Sequence, residues 1–302
     1  MKRTAEEIMQ AAHARVAQIV ASAEQKAAEQ PKQMFLPGFD EDMAAMPNHI
    51  NRSSLFAPVA RGRRKMHYET VMVTRADCVL EYTGQQLDEA DADLMMALIW
   101  FAQNHPLGAR VPLNRYEVLT KIGRSSGQSD YDWLHRRLKA LRSATMFLEA
   151  RKPDGSTRYK VGGMVSFNLV KELAGFEDDG SYEYTLDPRW VQLFGNREYS
   201  LCDFNKRLLI GRGQDMAKTL QRLIATSSSQ VQRYSLDWMQ AKMEYSGRRR
   251  DFKDALMRAV QELQRLKILD GGRIEDSTRR ESQIVLWITP KDDRDSVAHH
   301  SG

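Results

Sequence analysis

The sequence predicts an α+β chain of two similar units in tandem behind an N-terminal helical and extended tail. Three observations lead there. Twice a short polar segment ending in Ser-Gly opens a long amphipathic basic helix, twice that helix runs into a turn-rich stretch, and twice alternating, strand-like residues follow. The first copy has Ser126-Gly127, a helical run over 130–149, a Pro153-Asp154-Gly155 turn and a strand pattern over 159–169. The second has Ser246-Gly247, a run over 248–269, a Gly271-Gly272 break and a pattern over 279–289. Helix, turn, helix and hairpin in this order are the outline of a winged helix, so the expected fold is a tandem of winged-helix domains.

The elements follow in order. Residues 4–30 form a helix with Ile8, Ala12, Val16, Ile19 and Ala23 on a narrow stripe, stopped by Pro31. Residues 32–65 mix Pro37, Pro47, Pro58, Gly38 and Gly62 with isolated apolar residues and end in the basic cluster Arg61 to Lys65, which reads as an extended linker carrying short binding motifs. Strand patterns over 71–75 and 78–83 precede Gly84. A helix over 88–103 carries Leu94, Leu98 and Phe101 in register, Pro106-Leu107-Gly108 breaks it, and a short helix over 113–122 leads to Gly123. In the basic helix that follows, Leu134, Leu138, Leu141, Thr145 and Leu148 share one face, while Arg136, Lys139 and Arg142 lie off it. A strand over 181–186 and a helix over 187–194, with Asp187 as N-cap and Pro188 in its first position, close the unit. The second unit starts near Cys202, with helices over 205–210 and 216–225, a Ser227–Ser229 loop and a positioning helix over 236–244. Its long basic helix aligns Phe252, Leu256, Ala259, Leu263 and Leu266. The expected boundaries are 1–65, 66–200, 201–290 and a charged, disordered tail over 291–302.

Charge gives the functional lead. The chain of 302 residues has a formal net charge of +5, and the stretch from Arg197 to Pro290 holds 18 Lys/Arg against 12 Asp/Glu. Arg248, Arg249, Arg250 and Lys253 crowd the first turns of the second basic helix, where the macrodipole favours anions. Folding alone gives little reason for that placement, whereas a phosphate backbone supplies the missing charge. The same cations would also serve to solvate the outer face of an ordinary core helix. Ser126, Gln128, Ser129 and Tyr131 at the start of the first basic helix, with Arg136 along it, are the matching candidates there. Arg151, Lys152, Arg158 and Lys160 in one hairpin and Arg273, Arg279 and Arg280 in the other are candidate flanking phosphate contacts.

Other chemistries lack their residues. No stretch fits GxxxxGK[ST], and Gly211-Arg212-Gly213 lacks the third glycine of a dinucleotide site. Cys78 and Cys202 have no pairing or zinc spacing, which suits a reducing cytoplasm. His13, His49, His67, His105 and His135 are scattered, His299-His300 sit in the tail, and Glu177-Asp178-Asp179 reads as a solvated loop run. The expectation is therefore a non-enzymatic protein without metal or cofactor, soluble and cytoplasmic, bound to nucleic acid and not to membrane. A tandem winged-helix repressor and, further off, a nucleic-acid-processing enzyme are the alternatives.

The chain resembles the TrfA family of plasmid replication initiators. The resemblance is carried by Ala45-Met46-Pro47-Asn48, Arg52-Ser53, Leu55-Phe56, Tyr82-Thr83-Gly84, Asp91-Ala92-Asp93-Leu94, Pro106-Leu107-Gly108 and Leu141 with Ala144-Thr145-Met146. It implies a nucleoid- or plasmid-associated protein that binds double-stranded origin repeats (iterons), opens an AT-rich segment whose single strands it contacts, and engages the replicative helicase and host initiator. It also implies a homodimer in equilibrium with an active monomer, the N-terminal winged helix forming the dimer surface. Family members carry a peptide that binds the DNA polymerase III sliding clamp. Gln33, Met34 and Leu36 match it in kind, Pro37 stands where the pattern wants Phe, and Phe39 serves only if the Pro-Gly turn carries it into the same pocket; the other reading of the stretch is a hydrophobic strap packed on the first domain.

Overall fold

The structure is a computed structural model that describes residues 34–59, 64–162, 167–175, 182–195, 198–278 and 280–290. The expected helix over 4–30, Arg61 to Arg63, Glu177-Asp178-Asp179, Arg279 and the tail beyond Pro290 lie outside the described residues. The chain divides into Met1–Met34 and a compact body, Phe35–Gly302; every element below belongs to that body, and the first and second units named below are its two element repeats.

The stretch expected to be a linker is mostly core from Ala44 to Ala57. It forms β1 (Met43–Pro47) and α1 (Asn48–Arg52), and Leu36, Ala45, Met46, Ile50, Leu55 and Phe56 are buried. Each segment is only five residues long, too short to carry a period. Next come β2 (Met66–Val71) and β3 (Cys78–Gln85), an antiparallel pair whose first strand starts five residues earlier than expected.

Asp88 then caps α2 (Glu89–Ala102). Its carboxylate accepts from the N–H groups of Ala90 and Asp91, and the Asp91 side chain accepts from the Asp88 N–H, so two orphan donors at the helix start are satisfied reciprocally. After β4 (Val111–Leu113), Asn114 caps α3 (Arg115–Lys121), its side-chain oxygen accepting from the N–H groups of Tyr116 and Glu117. Residues Gln128–Ser143 make α4, with Leu134, Leu138 and Leu141 fully buried. This helix ends six residues earlier than its pattern suggests. From Ala144 onward burial alternates, giving β5 (Thr145–Arg151), and the Asn168 amide donates to the carbonyls of Arg142 and Ala144 at the helix end. Thr145 and Leu148 fit both periods, and the strand won. The chain continues through β6 (Thr157–Val161), β7 (Phe167–Asn168), β8 (Glu172–Ala174), β9 (Tyr182–Thr185), α5 (Trp190–Phe194) and β10 (Tyr199–Asp203). Asp187 precedes α5 by more than its capping role requires; its carboxylate instead accepts from the Arg189 N–H and pairs with that guanidinium. β1 runs antiparallel to β10 across more than 150 residues of chain, tying the start of the described body to its middle.

The second half comprises α6 (Phe204–Leu208), α7 (Asp215–Ile224), β11 (Val231–Ser235), α8 (Leu236–Lys242), α9 (Arg249–Arg265), β12 (Leu269–Asp276) and β13 (Ser282–Ile288). Phe252, Leu256, Ala259 and Leu263 of α9 are fully buried. Gly271-Gly272 does not break this region; both residues lie in β12. A Cβ on Gly272 would stand 2.8 Å from Leu286 and 3.1 Å from Val260, so glycine lets α9 lie flat on its sheet. The turn comes later, at Ser277–Arg280, where Arg280 has φ +61°.

Two apolar clusters fill the body, one from Leu36 to Phe204 and one from Ile210 to Leu286. The order of elements repeats. Helix, strand, helix, helix, strand, strand describes α2-β4-α3-α4-β8-β9 and again α7-β11-α8-α9-β12-β13, and the sheets have the same order, β4-β9-β8 and β11-β13-β12. The Pro153-Asp154-Gly155 hairpin, expected to follow the first helix as its wing, is not part of that repeat. It joins β5 to β6 in a separate sheet of order β2-β3-β5-β6, with β7 on β5; β2 and β3 precede α2, and β5, β6 and β7 are inserted between α4 and β8.

Candidate nucleic-acid interface

The turn between α8 and α9 is held by one side chain. The Gln240 amide nitrogen donates to the carbonyls of Tyr245 and Gly247, and its oxygen accepts from Arg249. Tyr245 packs on Phe252, and a Cβ on Gly247 would stand 2.6 Å from the Tyr245 ring, so the approach to α9 is tight. Arg249 also pairs with Asp237 of α8. It therefore clamps α8 to α9, a different task from base contact.

The neighbouring cations are freer. Arg248 makes a 3.1 Å pair with Asp251, but at 89% side-chain exposure that bond is weak. Arg250 is exposed and Lys253 half-buried, and neither has an ion-pair or hydrogen-bond partner among the described residues. Three consecutive arginines thus meet three environments: Arg248 is the extended residue before the helix, and Arg249 and Arg250 lie a helical step apart.

The first unit is built differently at the corresponding place. Arg124 pairs with Asp130 at 3.0 Å and lies over the Trp133 ring at 3.9 Å, while Ser125 donates to the same carboxylate. The Ser125 hydrogen bond, helped by Arg124, holds the Asp130 carboxyl below its ordinary range. Ser126 and Ser129 are exposed, and Gln128 is engaged with Asp132 at 2.9 Å. Tyr131, expected at an exposed helix start, is half-buried, with the Arg115 guanidinium 4.9 Å from its ring and 5.1 Å from that of Tyr182. The start of α4 is therefore acidic. Its exposed cations, Arg136, Lys139 and Arg142, lie farther along and have no ion-pair partner among the described residues.

The hairpins also diverge. Glu149 takes both Arg151 and Lys160, and Glu198 takes Arg158 and the Tyr159 hydroxyl, so the β5–β6 hairpin neutralises its own cations apart from Lys152. In the second unit Arg273 pairs with Glu275 at 2.7 Å and lies 5.5 Å from the Trp287 ring, whereas Arg280 is exposed and unpaired among the described residues.

A buried charge cluster joins the two element repeats within the Phe35–Gly302 body, and an acidic helix start is the one trace of it in the sequence. Glu89 of α2 is wholly buried between Arg207 of α6 at 2.7 Å and Arg222 of α7 at 2.5 Å, and Thr219 donates to it at 2.6 Å. Burial alone would push the Glu89 carboxyl up, but the two guanidiniums outweigh it and hold it well below the usual carboxylate range. Asp93 takes Arg207 and Lys218. Arg222 spends its remaining donors on Asn51 and the Phe56 carbonyl. Lys242, also fully buried, donates to the Ser53 carbonyl at 2.7 Å, and Trp238 to that of Thr74 at 2.9 Å.

Of the peptide expected to reach a clamp, Gln33 lies outside the described residues and Met34 is exposed. Leu36 is buried, and Phe39 is packed on the first cluster with its N–H donating to Gln103 at 2.9 Å. Two of the four anchors are used internally. Among the described residues no group of three or more His, Cys, Asp or Glu side chains could hold a metal ion, and no helix is long and apolar enough to cross a membrane.

A family model described as TrfA protein matches residues 1–177. No curated protein matches the chain. Among solved structures, a crystal structure of domains 2 and 3 of RctB is similar with a TM-score of 0.51 at 11% identity, covering 78% of this chain and 95% of that one. A second structure of RctB domains 2–3 has a TM-score of 0.48 at 13% identity, covering 84% and 100%.

Proposed function

This chain belongs to the TrfA family, and from that premise we propose that it is a plasmid replication initiator, a tandem winged-helix protein that grips origin repeats and carries out no catalytic step itself. The observation that supports it most is the start of α9. Arg250 and Lys253 stand free at the leading end of a helix whose unit has the element and strand order of a winged helix, and such helices enter the major groove N-terminus first. The second unit is the main anchor. The first, with Asp130 and Asp132 at the start of its helix, contributes the mid-helix cations Arg136, Lys139 and Arg142, which suit phosphates better than bases.

Origin opening, the monomer–dimer equilibrium and contacts with helicase, host initiator and clamp come with the family reading. For the clamp, Leu36 and Phe39 must first leave the first cluster, so that contact requires a local rearrangement. The test is replication in trans. A plasmid carrying candidate repeats and no initiator of its own should be maintained when the wild-type chain is supplied and lost when Arg250→Ala/Lys253→Ala is supplied. Maintenance by the double variant at the wild-type level would overturn the reading.

A further inference from the structure

The cluster around Glu89 contains no residue of α9, yet it bears on how two helices can address one duplex. Neighbouring winged helices connected by a loose linker tolerate many separations between their sub-sites; a rigid pair tolerates one. Here the connection is pinned. Arg207 stands on α6, within the segment that leads from β10 to α7, and its guanidinium is held by Glu89 and Asp93 of the first unit. Arg222, one helix later, is held by both oxygens of Glu89 and by Asn51 and Phe56, again of the first unit. The linker and the first helix of the second unit are thus fastened to one carboxylate whose side chain has no solvent exposure.

A buried ion cluster is a poor source of net stability, because two desolvated charges recover little more than they lose, but it enforces one arrangement. Any other relative orientation of the units would strand Arg207, Arg222 or Glu89 without a partner in a dry site. Apolar packing alone would slide. We propose that Glu89 is a positioning residue that sets the separation of α4 and α9, and thereby makes the chain discriminate between repeats whose two halves differ in spacing. The proposal rests on the DNA-binding reading above for its consequence and on the joint alone for its cause.

The test uses the full chain. Duplexes that bind the wild-type chain are selected from a random library, the two protected halves are located by hydroxyl-radical footprinting, and derivatives with one or two base pairs inserted between them are prepared. Wild type should bind the two-base-pair insertion at least about 30-fold more weakly than the parent, and Glu89→Gln should bind the two within about threefold. Retention of the wild-type ratio by Glu89→Gln would overturn the proposal, since a merely structural loss would weaken both duplexes alike. A DNA-free measurement keeps the joint separable from the DNA reading: spin labels on Asn104→Cys and Ser228→Cys, both exposed sites, should give a narrow distance distribution in the wild-type background and a broad one with Glu89→Gln. The native Cys78 and Cys202 are buried and do not compete for label. Equal widths would overturn the joint itself, whereas failure of the wild-type chain to select any duplex would sink the DNA reading and leave the width to be judged. Should Glu89→Gln not fold, Asp93→Asn removes a peripheral charge of the same cluster and is read with the same probes.

Discussion

Arg249 donates to Gln240 at 2.8 Å across the turn between α8 and α9, and the same guanidinium pairs with Asp237. This removes Arg249 from the free cations and leaves Arg250 beside it unpaired among the described residues. The two substitutions should therefore part ways. Arg250→Ala should lower affinity for a specific duplex by on the order of 10-fold, at about 1–3 kcal/mol for a good base contact, with an unchanged melting temperature. Arg249→Ala should lower the melting temperature, weakening binding to specific and scrambled duplexes together. Parallel thermal scans and binding isotherms separate the outcomes; a stable Arg249→Ala with relaxed sequence preference would reverse the assignment.

Gly272 marks a close approach of β12 to α9. Alanine there must displace Leu286 or Val260, both buried, and overpacking of this kind costs about 1–3 kcal/mol. Chemical denaturation of Gly272→Ala should show a lower midpoint at an unchanged slope. Stability equal to wild type would mean that the strand has room the structure does not give it.

Lys242 predicts a pH dependence. Burial, aided by the nearby Arg222, pulls its ammonium down to about 7 against the opposing pull of Glu89, while in the unfolded chain it titrates near 10.5. Between those values the unfolded state binds the extra proton, so this residue makes stability rise with pH from about 7 to 10.5; as pH falls through the folded value the loss is complete and levels off. Lys242→Met should flatten that rise and be no less stable than wild type at pH 7. Urea midpoints at intervals across the window check it, and an unaltered slope in the variant would refute the role of Lys242.

How much of this was readable in the sequence depends on whether a signal is local. Leu134, Leu138 and Leu141, and Phe252 to Leu263, repeat at the helical period and lie where that period puts them. The joint was not readable in this way. Glu89 meets Arg207 and Arg222 more than a hundred residues downstream, and an acidic residue in a first turn is already explained by the helix dipole. The insertion of β5, β6 and β7 misdirected the first hairpin for a related reason, since Pro153-Asp154-Gly155 is a sound turn in whichever sheet its strands pair. β1 was missed because five residues against a strand 150 positions away leave no periodic trace. The three arginines at 248–250 look alike in sequence, and only the surroundings of each separate a clamp from a contact.

The salt dependence of duplex binding tests the central claim most directly. Isotherms for wild type and Arg250→Ala/Lys253→Ala at several salt concentrations, on a library-selected duplex and its scrambled counterpart, should show tight, salt-sensitive binding by wild type. The double variant should have lost most of its preference for the selected duplex and about one to two units of the slope of log K against log salt. Identical affinity, preference and slope in wild type and double variant would contradict the account.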